Sequence, residues 1–90
     1  MSKNTIFSPR ALDEYTFWIT EDRKTAKKIM RIIKDIQRDS YKGLGHPEPL
    51  KYEFAGYWSR EIDHKNRIVY RICENGDIEI SQCKGHYNDK

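Results

Sequence analysis

Apolar positions along the chain change their period once, near residue 40, and the change separates a helical half from a strand half. Asn4-Thr5-Ile6-Phe7 opens as a short β-prone stretch. The Ser8-Pro9 pair behind it is a helix start, with serine at the N-cap and proline at the first helical position. The spacing predicts a helix from about Pro9 to Ile19. Leu12, Tyr15, Trp18 and Ile19 fall together as its docking face, and Arg10, Asp13, Glu14 and Thr16 lie mainly opposite. Asp22 is placed to cap a second, longer helix. There Ala26, Ile29, Ile32, Ile33 and Ile36 form one stripe, with Lys24, Lys27, Lys28, Arg31, Lys34 and Arg38 largely outside it, so the pair reads as an αα-hairpin.

Between Ser40 and Pro49 the periodicity is lost, because Gly43, Gly45, Pro47 and Pro49 favour turns, and a loop is expected. Beyond it the period falls to two. Tyr57 to Asp63, Arg67 to Cys73 and Ile78 to Cys83 are β-branched or aromatic runs, and Asn75-Gly76 between the last two signals a hairpin; three antiparallel strands are expected. In the middle run Ile68, Tyr70 and Ile72 alternate with Arg67, Val69 and Arg71. One sheet face would pack on the helices while the other presents cations, which makes the basic side the candidate site. The class is α+β: an N-terminal β-strand and two helices on a twisted antiparallel sheet. There is no internal repeat or low-complexity segment.

Composition narrows the setting more than the chemistry. Ninety residues without a Ser/Gly/Pro-rich linker suit one domain over residues 1–90. Seventeen Lys and Arg against fourteen Asp and Glu give a formal charge of +3, too mild to identify a partner. Cys73 and Cys83 are too few and too far apart for a zinc site and read as small buried thiols. With no secretory signal and no apolar run near the roughly 20 residues that span a bilayer, a soluble, cytoplasmic protein with no membrane association is expected.

The chemistry lies in a polar cluster split across the second half: His46-Pro47-Glu48-Pro49-Leu50-Lys51, Trp58-Ser59-Arg60, Arg67-Ile68-Val69-Tyr70 and His86-Tyr87. Attack of a ribose 2′-hydroxyl on its own phosphate needs a base for the hydroxyl, an acid for the departing 5′-oxygen and cations for the phosphorane, with no metal or cofactor. Glu48, held between prolines, is the candidate base. His86, of the residue type whose ordinary pKa lies near neutrality, is the candidate acid. Arg67 can fork onto phosphate oxygens, Arg60 and Lys51 can hold the backbone on either side, and Tyr87 can stack on a base or donate its phenol to phosphate. Each has a plainer alternative: a solvated loop carboxylate, a surface histidine, solvated strand or loop charges, a packing tyrosine. Trp58, Tyr57 and Tyr70 read as core or sheet aromatics, the lysines of the second helix as a solvated face, and His46 and His64 as loop and turn residues.

The segments Gly-His-Pro-Glu-Pro-Leu-Lys (45–51), Gly-Tyr-Trp-Ser-Arg (56–60), Asn-Arg-Ile-Val-Tyr (66–70) and Cys-Lys-Gly-His-Tyr (83–87), in this order and spacing, resemble the Txe/YoeB family of toxins from type II toxin-antitoxin systems, within the RelE-like superfamily. The resemblance covers nearly the whole chain. It implies a RelE-like, microbial RNase T1-like fold and ribosome-dependent cleavage of mRNA in the A site. By position it makes Glu48 the general base, His86 the general acid and Arg67 the phosphate-stabilising arginine, with Lys51 and Tyr87 in support. It also implies a YefM-type antitoxin with an acidic segment that folds over the toxin, repression of the operon with operator DNA read through the antitoxin, and a possible homodimer. Dependence on the ribosome is physically reasonable, since rRNA can hold the mRNA in line for attack, and orientation is worth about 7 kcal/mol or more in favourable cases.

The chain departs from the family at two positions. Glu61 follows Arg60 where a second arginine can occur, and Gly85 precedes His86 where an aromatic can occur, which puts phosphate affinity and the setting of the acid in question. The Asn88-Asp89-Lys90 tail also runs past the His-Tyr end. The competing readings are a weakened RNA- or antitoxin-binding module of the same fold and an endonuclease acting on free RNA.

Overall fold

The computed structural model describes residues 4–86. In chain order the elements are β1 (Thr5–Phe7), α1 (Pro9–Glu21), α2 (Arg23–Arg38), β2 (Glu48–Pro49), a 3-10 turn (Tyr52–Phe54), β3 (Trp58–Glu61), β4 (Arg67–Ile72) and β5 (Ile78–Gln82). Ser8 starts α1 as its residue type predicts. Its Oγ accepts the Ala11 N–H at 3.0 Å and donates to the Ser81 carbonyl at 2.8 Å, so one hydroxyl caps the helix and ties it to β5. Asp22 ends α1 and caps α2, accepting the Thr25 N–H at 3.2 Å, and no loop intervenes between the helices.

The stripe on α2 buries as expected: Ala26, Ile29, Ile32, Ile33 and Ile36 all lie in the core. On α1 the buried face is turned from the expected one. Ala11 and Trp18, seven residues apart, are buried, whereas Leu12 and Ile19 stay 55% and 46% exposed. The docking face therefore runs along Ala11, Glu14, Tyr15 and Trp18, and it includes a charged residue that counting apolar positions placed on the other side.

The sheet has the order β1-β5-β4-β3-β2. Three antiparallel strands form where the alternation predicts them, but β1 joins β5 in parallel, so the sheet is mixed. The helical hairpin between β1 and the later strands supplies the long connection a parallel pair needs. At the other edge Glu48–Pro49, within the stretch read as a loop, pairs antiparallel with Trp58–Ser59. Proline is compatible with that position because an edge strand need not donate on its outer side.

Strand alternation assigns the two faces. Trp58, Arg60, Ile68, Tyr70, Ile72, Ile78 and Ile80 share the face against the helices. Glu48, Ser59, Glu61, Arg67 and Val69 share the other. A bulge breaks the phase on β5: Tyr70 is opposite Ile80 and Val69 opposite Gln82, which leaves Ser81 without a partner. The extra residue moves Gln82 to the outer face and turns Cys83 into the core, re-aiming the chain just before His86.

Candidate active site

Arg67 is the centre of the outer face. It stands at the start of β4 opposite Glu61, and its guanidinium lies 3.5 Å from Glu48 Oε1 and 3.9 Å from Glu61 Oε2. Glu48 reaches it from the edge strand. The short β2 is held in place by Leu50, which is buried and donates its N–H to the Tyr57 carbonyl at 2.9 Å. Gly45 ties the preceding loop to β3: its carbonyl accepts the Glu61 N–H at 2.6 Å, and its φ of +78° lies where side chains are disfavoured. A Cβ there would sit 2.7 Å from the Glu61 carbonyl oxygen, so glycine also meets a steric need.

The segment leading to His86 is fixed from two sides. Cys83 donates its N–H to Glu14 Oε1 at 2.7 Å and receives the Trp18 indole N–H on its carbonyl at 2.9 Å. Two residues on, Gly85 donates to Asn66 Oδ1 at 2.8 Å and accepts the Arg67 N–H at 3.0 Å. Asn66 is itself held, its Nδ2 donating to both oxygens of Asp63 at 3.1 Å. Burial pushes the Asp63 carboxyl up, but the Asn66 side chain, the N–H groups of Lys65 and Asn66 and the nearby His64 outweigh it and hold the group below its ordinary value. The anchor is thus an ionised carboxylate. His86 lies next to Gly85 and lines a shallow hollow with His64, Lys65 and Asn66. Glu48 thus pairs with the Arg67 guanidinium from β2, while the residue before His86 bonds to the Arg67 backbone from the segment after β5 on the other side.

Lys51 is exposed and lines, with Glu48, a hollow of about 300 Å³ at the sheet edge. Tyr87 and the Asn88-Asp89-Lys90 tail lie outside the described residues. His46 and His64 are exposed loop and turn residues, as expected. In the row across the sheet from Glu48, the buried Ser59 Oγ and Gln82 Nε2 have no hydrogen-bond partner among the described residues, which leaves a polar seam in the floor.

Arg60 is elsewhere. Expected as a backbone-holding cation at the surface, it is 0% exposed and faces the helices. Its guanidinium donates to Asp35 Oδ2 at 2.6 Å, to the carbonyls of Asp39 at 2.6 Å and of Leu44 and Lys42 at 3.2 Å each, and to the Tyr70 hydroxyl at 3.2 Å. The cause is the register: Arg60 is opposite Ile68 on β4 and must share its face. There it gathers the glycine-containing loop after α2 onto the sheet. Asp35 completes the hub; the Leu44 N–H, followed by Arg60 and Arg38, holds its carboxyl below the ordinary value against the effect of burial. Of the two cysteines, Cys83 is buried and Cys73 only partly so; burial and the Glu14 charge push the Cys83 thiol up to about 12.

Three contributors to this geometry were not read as site residues from the sequence. In the sequence Glu61 stands only as a departure from the family, Asn66 only as part of a motif, and Glu14 on the side of the helix away from the expected docking face. For Glu14 a signal existed, because residues 11, 14 and 18 fall on one helical face. For Asn66 and Glu61 the register of β3 on β4 was needed.

This mixed sheet under a helical hairpin, with a carboxylate–arginine pair on the open face, is the RelE/YoeB-like fold. A "YoeB/ParE toxin from Agrobacterium tumefaciens" superposes with a TM-score of 0.90 at 39% identity, over 93% of this chain and 99% of that one. A YoeB-YefM complex from Staphylococcus aureus gives 0.86 at 40% identity, over 97% and 100%. Toxin YoeB of Mycobacterium bovis is 49% identical over 82 residues, 91% of this chain and 93% of its own length. The family described as "YoeB-like toxin of bacterial type II toxin-antitoxin system" matches residues 7–87, and the chain belongs to it.

Proposed function

We propose that this protein is an endoribonuclease toxin that cleaves mRNA in the A site of the 70S ribosome and so stops translation. The observation that carries the reading is the setting of Arg67, with the Glu48 carboxylate 3.5 Å from its guanidinium and its own N–H bonded to the residue before His86. In the proposed reaction Glu48 takes the proton of the 2′-hydroxyl. The 2′-oxygen bonds to phosphorus, Arg67 and Lys51 hold the phosphorane charge, and the bond to the 5′-oxygen breaks as His86 gives that oxygen its proton. The products are a 2′,3′-cyclic phosphate and a 5′-hydroxyl, and the chemistry calls on no cofactor. Tyr87 would support the acid side.

A site this open, with Glu48 half exposed, gives little orientation by itself, which favours a ribosome that positions the strand. The partner we assign is a YefM-type antitoxin, as YoeB of Staphylococcus aureus has in its complex, with operator DNA met only through it. The same relative is also solved as a dimer, and a homodimer is a second possible assembly. The place of action would be the cytoplasm, where ribosomes work.

One observation favours the non-catalytic module. Glu61 places a second carboxylate beside Arg67 and weakens the field a phosphate would meet. Primer extension on programmed 70S complexes decides between the readings, using wild type, His86→Ala, Glu48→Ala and Arg67→Ala, with naked mRNA alongside. A cut in the A-site codon that needs the ribosome and His86 is expected. No cut by folded wild type that still binds antitoxin would establish the module, and equal cutting of naked mRNA would establish a ribosome-independent nuclease.

A further inference from the structure

Tyr52 stands out among the residues that the proposed reaction leaves unused. It is 91% exposed, and its φ of +60° lies in the left-handed region that aromatic residues rarely adopt. The conformation is imposed by its surroundings. Phe54 donates its N–H to the Lys51 carbonyl at 3.1 Å, Ala55 to that of Tyr52 at 3.0 Å and Tyr57 to that of Phe54 at 3.0 Å, so the turn is tightly closed. Nearby, the buried Leu50 anchors the segment to the sheet. Among the described residues no hydrogen bond or ring contact holds the tyrosine side chain. A hydrogen-bonded turn thus carries an aromatic ring into solvent, where it adds nothing to packing.

What the ring adjoins gives it a use. Tyr52 lines the hollow of about 300 Å³ that also holds Glu48, Lys51, Glu53 and Phe54, a volume at the low end of small-ligand sites and sufficient for one nucleoside. An aromatic face, a lysine and a carboxylate able to meet a ribose hydroxyl are what a single-stranded nucleotide requires: stacking for the base, charge for the phosphate. The attacking 2′-hydroxyl belongs to the nucleotide on the 5′ side of the cut. The base of that nucleotide therefore lies on the Glu48 side.

We propose that the hollow at the sheet edge is a nucleobase subsite in which Tyr52 stacks on the base 5′ of the scissile phosphate. The inference rests on the RNA-cleaving reading above and adds a positioning residue to it. Tyr52→Phe keeps the stacking face, whereas Tyr52→Leu keeps apolar bulk without it.

Three measurements test the subsite: base quenching, ribosomal cleavage and antitoxin binding. Titration of a short RNA oligonucleotide carrying 2-aminopurine, with protein alone, should show quenching by wild type and Tyr52→Phe and its loss with Tyr52→Leu. In the ribosomal assay Tyr52→Leu should raise the concentration needed for half-maximal cleavage by about 5- to 150-fold, the range for loss of one stacked base, with the melting temperature unchanged. Equal quenching and cleavage by Tyr52→Leu and wild type would overturn the subsite and leave the ribonuclease reading intact. If wild type does not cut on ribosomes, that reading falls, and the quenching series still decides whether Tyr52 stacks. Weaker antitoxin binding by Tyr52→Leu with RNA behaviour unchanged would give the ring to the protein partner and overturn the proposal.

Discussion

Replacing Arg60 separates a structural arginine from a substrate-binding one. In Arg60→Ala the Asp35 carboxylate loses a 2.6 Å partner, three loop carbonyls lose their donor, and the Tyr70 hydroxyl keeps only its bond to Ser40. Asp35 keeps the Arg38 guanidinium and the Leu44 N–H, so the cost falls mainly on the carbonyls left without a donor and on the emptied space, and removing one member of a buried ion pair costs about 3–5 kcal/mol. Set against a typical stability of about 5–15 kcal/mol, that is a large fraction. At about 4 °C or more per kcal/mol for a domain of this size, the melting temperature should fall by roughly 12 °C or more. Arg60→Lys keeps the charge but not the planar fork that serves five acceptors, and it should fall between alanine and wild type. Thermal and urea unfolding of the three proteins, followed by RNA affinity measured below the melting point, form the assay. An Arg60→Ala protein that melts within about 2 °C of wild type, as an ordinary surface substitution would, and has lost RNA binding would refute the structural assignment.

Asn66→Ala removes the acceptor for Gly85 and should lower the cleavage rate about 10- to 100-fold with little change in half-saturation, since it loosens the placement of His86; a change confined to half-saturation would contradict this. Glu61→Gln should tighten RNA binding about two- to fivefold, the scale of a partly exposed charge pair, and Glu61→Arg should steepen the dependence of log affinity on log salt by about 0.7. Unchanged affinity and slope in both variants would show that Glu61 does not compete for Arg67. Acid should destabilise the protein through Asp35. Its folded-state pKa is depressed, so the stability it contributes is present above the ordinary value near 3.8 and is lost as pH falls through the lower folded value. A urea midpoint that stays flat from about pH 5 to pH 2 would contradict the linkage.

The helices and the central strands were legible because each buries one face and their periods of 3.6 and 2 survive in the sequence. The turned face of α1 was not, because Glu14 is charged yet partly buried against Cys83, and a count of apolar residues cannot see a carboxylate bonded to a distant N–H. Likewise β2 is a strand only because β3 is there to pair with it; two residues carry no periodicity of their own.

Sequence alone determined the helical hairpin, the alternation of β4 and the presence of Glu48, Arg67 and His86 in one chain, since these follow from local propensity and from residue identity. The tertiary structure decided which charges share a surface. The register of β3 on β4 sent Arg60 into the core and Glu61 to Arg67, and the unpaired Ser81 turned the last strand so that Cys83 is buried and Gly85 meets Asn66. A slip of one residue in a sheet moves every following side chain to the opposite face, so such assignments depend on pairing between distant segments.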